Sequence, residues 1–487
     1  MAIQYRLSLL LLLSYLVGQA ARATVRLPTL VGSHMVLQRD RPLHLWGWAE
    51  PGEAVRLTFR GRTYAASTPG AGGRWQAMLP ATPAGGPYTL TVTGQNTIVL
   101  DDVLVGDVWL AAGQSNMQFK VKDSNPRGYQ PVQNADQEIA AANYPAIRLF
   151  TLTQVAAARP AVEVTGSGWQ VCSPATVAEF SAVAYFFGRE IHQHYRVPVG
   201  LVVSSWGGTP AEAWVSAEGL RAFPEFGPVI SEFARRDSSR RDDQLRPTAL
   251  YNGMVAPLRP VALKGIIWYQ GETNVERAEQ YRSLFPALIA DWRARWDAPL
   301  PFLFVQLANY QAARPEPAES AWAELREAQA AALTLFRTGM ATAIDVGEAD
   351  DIHPHNKQAV GHRLALAACR VAYGDKKLIS SGPTYADMAV TGATIRLKFA
   401  SVGSGLAAKN GLPLHGFAVA GADRIFHWAA ARLDSDEVLV ESPQVPAPVA
   451  VRYDWADNPA GNLTNNEGLP AVPFRTDAWP GLTVGRK

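Results

Sequence analysis

The sequence predicts an α/β fold, a parallel sheet with helices on both faces, flanked before and after by β regions. Three observations carry this. Val199-Gly-Leu-Val-Val203, Gly265-Ile-Ile-Trp-Tyr269, Phe302-Leu-Phe-Val-Gln306 and Ala341-Thr-Ala-Ile344 are near-continuous apolar runs, the kind buried on both faces of a sheet. Helix-length amphipathic segments lie between and around them: Phe180 to Tyr195, Glu279 to Trp296, Ala321 to Leu335 and Lys357 to Tyr373. On either side the texture changes to short alternating runs broken by Gly and Pro.

The chain has 487 residues, which predicts two or three domains. Forty-five basic and 43 acidic residues leave a formal charge of +2, and charged residues make up 18%. That balance argues against a nucleic-acid binder with a basic stripe and against an acidic tail. Fourteen Trp, 40 Gly and 34 Pro suit many strands and turns, with aromatics to spare for ligand surfaces. Cys172 and Cys369 alone exclude a disulfide scaffold and a cysteine zinc site, and the sequence does not say whether they pair.

Residues 1–23 read as a secretory signal peptide. Arg6 precedes an apolar run from Leu7 to Val17, and Ala21-Arg22-Ala23 supplies small residues at a cleavage site. The run is far short of the roughly 20 residues a spanning helix needs, so no membrane partner is expected. An uncleaved anchor or a buried strand is the alternative. The expected product is exported, to the periplasm or the medium.

Residues 24–102 form the first β region. His44-Leu-Trp-Gly-Trp48, Val55-Arg-Leu-Thr-Phe59 and Tyr88-Thr-Leu-Thr-Val92 alternate between turns at Pro51-Gly52, Gly72-Gly73 and Gly85-Gly86-Pro87, as in a small antiparallel sandwich. The α/β region is placed at 103–374. A second β-rich region follows at 375–487, with runs such as Ala393-Thr-Ile-Arg-Leu-Lys-Phe399 and Glu437-Val-Leu-Val440.

Four polar clusters fall at the ends of the apolar runs, where open parallel sheets bind ligands. The first is Gly113-Gln114-Ser115-Asn116, where a glycine turn would present Ser115 at the sheet edge; a plain helix N-cap is the alternative. The second, Ser204-Ser205-Trp206-Gly207-Gly208-Thr209, offers backbone N–H groups to an anion or makes a tight turn. The third, Gln270-Gly271-Glu272-Thr273-Asn274, offers amide donors and an acid, or helix caps. The fourth is Asp350-Asp351-Ile352-His353-Pro354-His355. An acid two or three residues before His353 can fold back on Nδ1 and leave Nε2 to take a proton from a hydroxyl. Metal binding by Asp351, His353 and His355 competes with that reading, as does a solvated surface turn.

Together the clusters resemble the SGNH hydrolases, and more closely the bacterial sialate O-acetylesterase family of carbohydrate acetylesterases. Met35-Val-Leu-Gln-Arg39, Trp46-Gly47-Trp48 and Gly106-Asp107-Val108-Trp109 are similar to that family's N-terminal region. Gly113-Gln-Ser-Asn-Met117, Gln270-Gly-Glu272 and Asp351-Ile-His-Pro354 are similar to its active-site blocks. Gly416-Phe-Ala-Val-Ala-Gly421, Arg452-Tyr-Asp-Trp455 and Gly468-Leu-Pro-Ala-Val-Pro-Phe-Arg475 resemble its C-terminal region.

The resemblance implies an SGNH-type, flavodoxin-like domain at 103–374 and a serine esterase that removes O-acetyl groups from sugars, first of all sialic acids. It implies Ser115 as nucleophile and His353 as general base. Oxyanion donors would be the Ser115 N–H, Gly207 or Gly208, and an amide from Gln270 or Asn274. The orienting acid is left between Asp350 and Asp351, with Glu272 a third choice. No metal or other cofactor is implied. A histidine at its reference pKa of about 6.5 would make activity fall below that pH. Alternatives are an acetylesterase acting on xylan or another glycan, a carbohydrate-binding protein without catalysis, and a metallohydrolase.

Overall fold

The computed structural model describes residues 25–122, 131–236, 240 and 242–487. The leader expected at 1–23 lies outside the described residues. Among those that are described, no helix is long and apolar enough to cross a membrane.

The central sheet has seven strands, numbered here in chain order: β1 (Thr97–Gly113), β2 (Tyr144–Thr151), β3 (Gln170–Cys172), β4 (Val199–Ser205), β5 (Gly265–Tyr269), β6 (Phe302–Gln306) and β7 (Thr338–Thr342). They lie in the order β7-β6-β5-β1-β4-β2-β3. All neighbours are parallel except β3, which runs antiparallel to β2 at the edge. Without that β2–β3 edge, the order is that of a flavodoxin-like doubly wound sheet. The chain winds to one side of β1 as far as β4, then crosses to β5 on the other. The topological switch therefore falls at the carboxyl end of β1.

Five helices matter for the site: α1 (Ser115–Gln118), α2 (Ala182–Tyr195), α3 (Ala278–Trp296), α4 (Ala321–Ala331) and α5 (Lys357–Val371). The four longer ones begin within two residues of the starts expected from periodicity. Both sheet faces are covered. Trp109 packs against Phe187 of α2, while Trp268 meets Phe285 and Trp292 of α3. Because Trp109 pairs with Gly265, three residues from Trp268, the two indoles point to opposite faces. Coverage on both sides explains why β4, β5 and β6 are buried at every position.

β1 runs unbroken across the 102–103 position where the sequence reading placed a domain boundary. Its first half pairs antiparallel with Gly85–Thr93 of the N-terminal β region; its second half lies between β4 and β5. Asp107, buried on β1, fastens these parts together. It accepts two bonds from Arg39, at 2.8 and 3.0 Å, and one from the Tyr373 hydroxyl at 2.8 Å. The C-terminal region builds two four-stranded antiparallel sheets around its own apolar core. Cys172 and Cys369 are both buried and free.

Candidate active site

β1 ends at Gly113, whose φ is +139° and where an added Cβ would stand 2.1 Å from the Tyr269 carbonyl oxygen. Only glycine fits so close to the neighbouring strand in that conformation. The chain then turns into α1, a single helical turn that leaves Ser115 half-buried at the switch point. Phe119 N–H bonds back to the Ser115 carbonyl at 2.8 Å and closes the turn.

Gly207 sits directly against this turn. A Cβ at Gly207 would lie 3.2 Å from the Ser115 Cβ, so the glycine keeps open the space beside the hydroxyl-bearing carbon. Its N–H donates to Oε1 of the exposed Gln118 at 2.7 Å. Gly208 follows at φ +72° with nothing within 4 Å of an added Cβ.

The His353 segment docks on the other flank of α1. Asn116 donates to the Ile352 carbonyl at 3.1 Å, and the Phe119 ring lies 5.7 Å from the His353 ring. Asp351, buried, is the acid beside this histidine: its Oδ1 accepts the His353 backbone N–H at 2.8 Å and lies 3.3 Å from Nδ1. Asp350 is exposed and points to neither ring by any hydrogen bond. The other Asp351 oxygen lies 3.2 Å from Nε2 of His355, and His355 Nδ1 lies 3.3 Å from Glu348. The order Glu348, His355, Asp351, His353 is thus a chain of alternating acids and imidazoles. Among the described residues, no group of three or more His, Cys, Asp or Glu side chains is placed to hold a metal ion.

His353 differs from a free imidazole. Burial is the largest influence, followed by repulsion from Lys357, and together they bring its pKa down to about 4 against the opposing pull of Asp351. The expectation of a residue near 6.5 is corrected accordingly: a nearly dry site disfavours the charged ring.

Lys357, wholly buried at the start of α5, had no signal in the sequence reading. It donates to Asn116 Oδ1 and stands 5.0 Å from the Phe119 ring centre and 5.5 Å from that of Tyr269, within cation–π range. The Asn116 amide reaches Glu272 Oε1 at 2.6 Å with its other end. Burial pushes the Glu272 carboxyl above the usual range, while the Asn116 bond and the Lys357 charge oppose that shift. One asparagine therefore joins a buried cation, a half-buried acid and the histidine loop immediately beside Ser115.

The two amides expected to face an oxyanion are spent elsewhere. Gln270 gives its hydrogens to Asn274 Oδ1 at 2.7 Å and the Thr209 carbonyl at 3.3 Å, and accepts the Tyr281 hydroxyl at 3.1 Å. Asn274 donates to Glu212 at 3.0 Å and accepts from Ala211 N–H at 2.9 Å. They brace the loop after β4 against the loop after β5, and neither bonds to Ser115. Of the backbone groups expected to donate there, Gly207 lies against Ser115, with its N–H held by Gln118.

Comparison with known proteins identifies the family. Residues 105–370 match the family described as carbohydrate esterase, sialic acid-specific acetylesterase. The sialate O-acetylesterase of Rattus norvegicus is 32% identical over 435 residues, covering 77% of this chain and 78% of that protein. The Homo sapiens sialate O-acetylesterase is 31% identical over 417 residues, covering 77% and 76%. In structure, a carbohydrate acetylesterase from Xanthomonas citri superimposes with a TM-score of 0.85 at 43% identity, over 94% of this chain and 100% of that one. The chain belongs to the sialic acid-specific acetylesterase family of carbohydrate esterases and is a carboxylic ester hydrolase.

Proposed function

We propose that the protein is an exported serine esterase that removes O-acetyl groups from sugars, with Ser115 as nucleophile, His353 as base and Asp351 as the orienting acid. The docking of the Asp351–His353 loop onto the turn headed by Ser115, through Asn116 and Phe119, is the observation that carries this reading. His353 Nε2 takes the Ser115 proton as Oγ attacks the acetyl carbonyl. Nδ1–H faces Asp351, whose carboxylate stabilises the imidazolium that forms. The tetrahedral oxyanion is met by N–H groups of Ser115 and of Gly207 or Gly208, with Gln118 turning away to release the Gly207 donor. His353 returns the proton to the departing sugar hydroxyl. Water, deprotonated by the same nitrogen, then cleaves the acetyl-serine and frees acetate.

O-acetylated sialic acid is the first substrate to test, on the strength of the rat and human relatives. Acetylated glycans without sialic acid come second, on the higher identity to the Xanthomonas citri carbohydrate acetylesterase. Ser115→Ala tests the mechanism: turnover of an aryl acetate and of acetylated sugars should fall on the scale of about 10⁶. Retained turnover in a folded variant would remove Ser115 from the reaction. Export is tested by fractionating expressing cells and sequencing the mature N-terminus, expected near Thr24.

A further inference from the structure

We propose that a groove between the C-terminal β region and the segment after β6, away from Ser115, binds a neutral oligosaccharide stretch of the substrate glycan. This goes beyond the esterase reading, since it assigns a second site to the same chain. The groove consists of a cavity of about 350 Å³ adjoining one of about 180 Å³, with Trp428, Trp455, Pro317 and Gly416 in both linings. The larger cavity falls within the roughly 300–1,000 Å³ typical of small-ligand sites.

The chemistry of the walls selects the ligand. Trp428 is 43% exposed, yet its indole N–H is fixed on the Pro315 carbonyl at 2.7 Å. An aromatic ring held by its edge with its body open to solvent is a platform for the C–H face of a sugar ring, with its ordering cost already met. Around it stand groups suited to hydroxyls: Asn458, His415 and Glu316. The charge is wrong for an acidic sugar. Four acids line the groove, Glu316, Glu319, Asp454 and Asp457, against three guanidiniums. Two of the three are engaged, Arg314 with Asp457 at 3.5 Å and Arg452 with Asp477 and Glu319 at 2.9 and 2.8 Å. A carboxylate entering the groove meets no net positive field, whereas an uncharged sugar pays no such penalty.

Position joins the groove to catalysis. The segment that forms one wall leaves the carboxyl end of β6, the same sheet edge that carries Ser115. Asn458 in the opposite wall accepts from Asn309 at 2.8 Å, and Asn309 Oδ1 accepts the Gly347 N–H at 2.7 Å. Gly347 opens the loop that carries Glu348, Asp351 and His353. Arg326, wholly buried, bonds the carbonyls of Leu307, Ala308, Ala456 and Asp457 and so locks the two walls together. Such bracing keeps a site in register with a catalytic loop.

The test uses the full chain carrying Ser115→Ala, titrated calorimetrically with xylohexaose, cellohexaose, mannohexaose and sialyllactose. At least one neutral hexasaccharide should bind, and adding Trp428→Ala should weaken it roughly tenfold or more. In the otherwise native enzyme, Trp428→Ala should raise KM on the acetylated form of that oligosaccharide by a similar factor. Its kcat/KM on an aryl acetate should stay within about twofold, since so small a substrate does not reach the groove. Failure of all three hexasaccharides to bind, or equal binding with and without Trp428, overturns the proposal. Persistent aryl acetate hydrolysis by Ser115→Ala would instead overturn the catalytic reading and leave the calorimetric result standing.

Discussion

Replacing Lys357 with Met removes one buried positive charge from beside His353, and the structure gives the size of the effect. The ammonium lies 5.0 Å from the Phe119 ring centre, which lies 5.7 Å from that of His353. At a separation of at most about 11 Å and an effective dielectric of about 20, it raises the energy of a protonated imidazole by about 1.5 kcal/mol or more. That corresponds to about one pKa unit. In the proposed mechanism the base works only when neutral, so with His353 at about 4 the native enzyme should hold its activity well below pH 6.5. Without the ammonium, protonation becomes easier and the acid limb should move up by about one pH unit. Asp351 opposes Lys357 by favouring the charged ring, and His355 adds a smaller push in the same direction as Lys357; both remain in place. The measurement is kcat/KM for an aryl acetate from pH 3.5 to 8, with acetate release followed by NMR. Lys357→Arg keeps the charge and should leave the midpoint where it was. Loss of the bond to Asn116 lowers the rate at every pH but does not move a midpoint, which separates positioning from electrostatics. A folded Lys357→Met enzyme with the native midpoint would refute the reasoning.

Other consequences follow from the same contacts. Asp351→Asn should lower kcat by about 10³–10⁴, whereas exposed Asp350→Asn should stay within about twofold, as read from steady-state kinetics of both. Gly207→Ala puts a methyl 3.2 Å from the Ser115 Cβ and 3.3 Å from Gln118 Oε1, so kcat should fall at least about tenfold with the melting temperature unchanged. Arg326→Met removes the bonds to four carbonyls, of which Ala308 keeps the Trp322 indole N–H and Asp457 keeps the Tyr310 N–H, and should cost about 3 kcal/mol in urea unfolding, with the C-terminal region loosened first under limited proteolysis. The native protein should also lose stability as pH falls from about 6.5 to about 4. His353 has its pKa depressed on folding, so the unfolded chain binds the extra proton in that window.

What the sequence disclosed depended on how local the determining interaction was. The buried strands and their helices were legible because burial on both faces leaves a continuous apolar run, and coverage on one face leaves a 3.6-residue period. The turn that sets Ser115 at the end of its strand was legible because a strand, a glycine turn and a hydroxyl lie within a few residues. The single strand from Thr97 to Gly113 was not, since the first β region was ended at residue 102, after Asp101 and Asp102. They are tolerated because Asp102 meets Arg148 in a double hydrogen bond at 2.7 and 3.0 Å, a partner 46 residues away.

The same distinction explains which parts of the site were misjudged. Gln270 and Asn274 lie where a strand-end amide can face a ligand, but an amide has two ends and its direction is chosen by partners. Here Tyr281, Thr209, Ala211 and Glu212 claim both. Asp350 and Asp351 differ by one position in a loop, where no periodicity assigns a side; the 2.8 Å bond from the His353 N–H holds Asp351, rather than the exposed Asp350, beside that histidine. Lys357 is the extreme case. A lysine in the first turn of a helix reads as a solvated charge, and only a buried acceptor 241 positions earlier makes it a structural cation. Burying an ammonium is unfavourable unless opposite charge and hydrogen bonds answer it, and Asn116 supplies the bond while passing its other end to Glu272. The asparagine beside Ser115 is therefore better understood as the joint through which a distant cation and acid fix the histidine loop than as part of a serine motif.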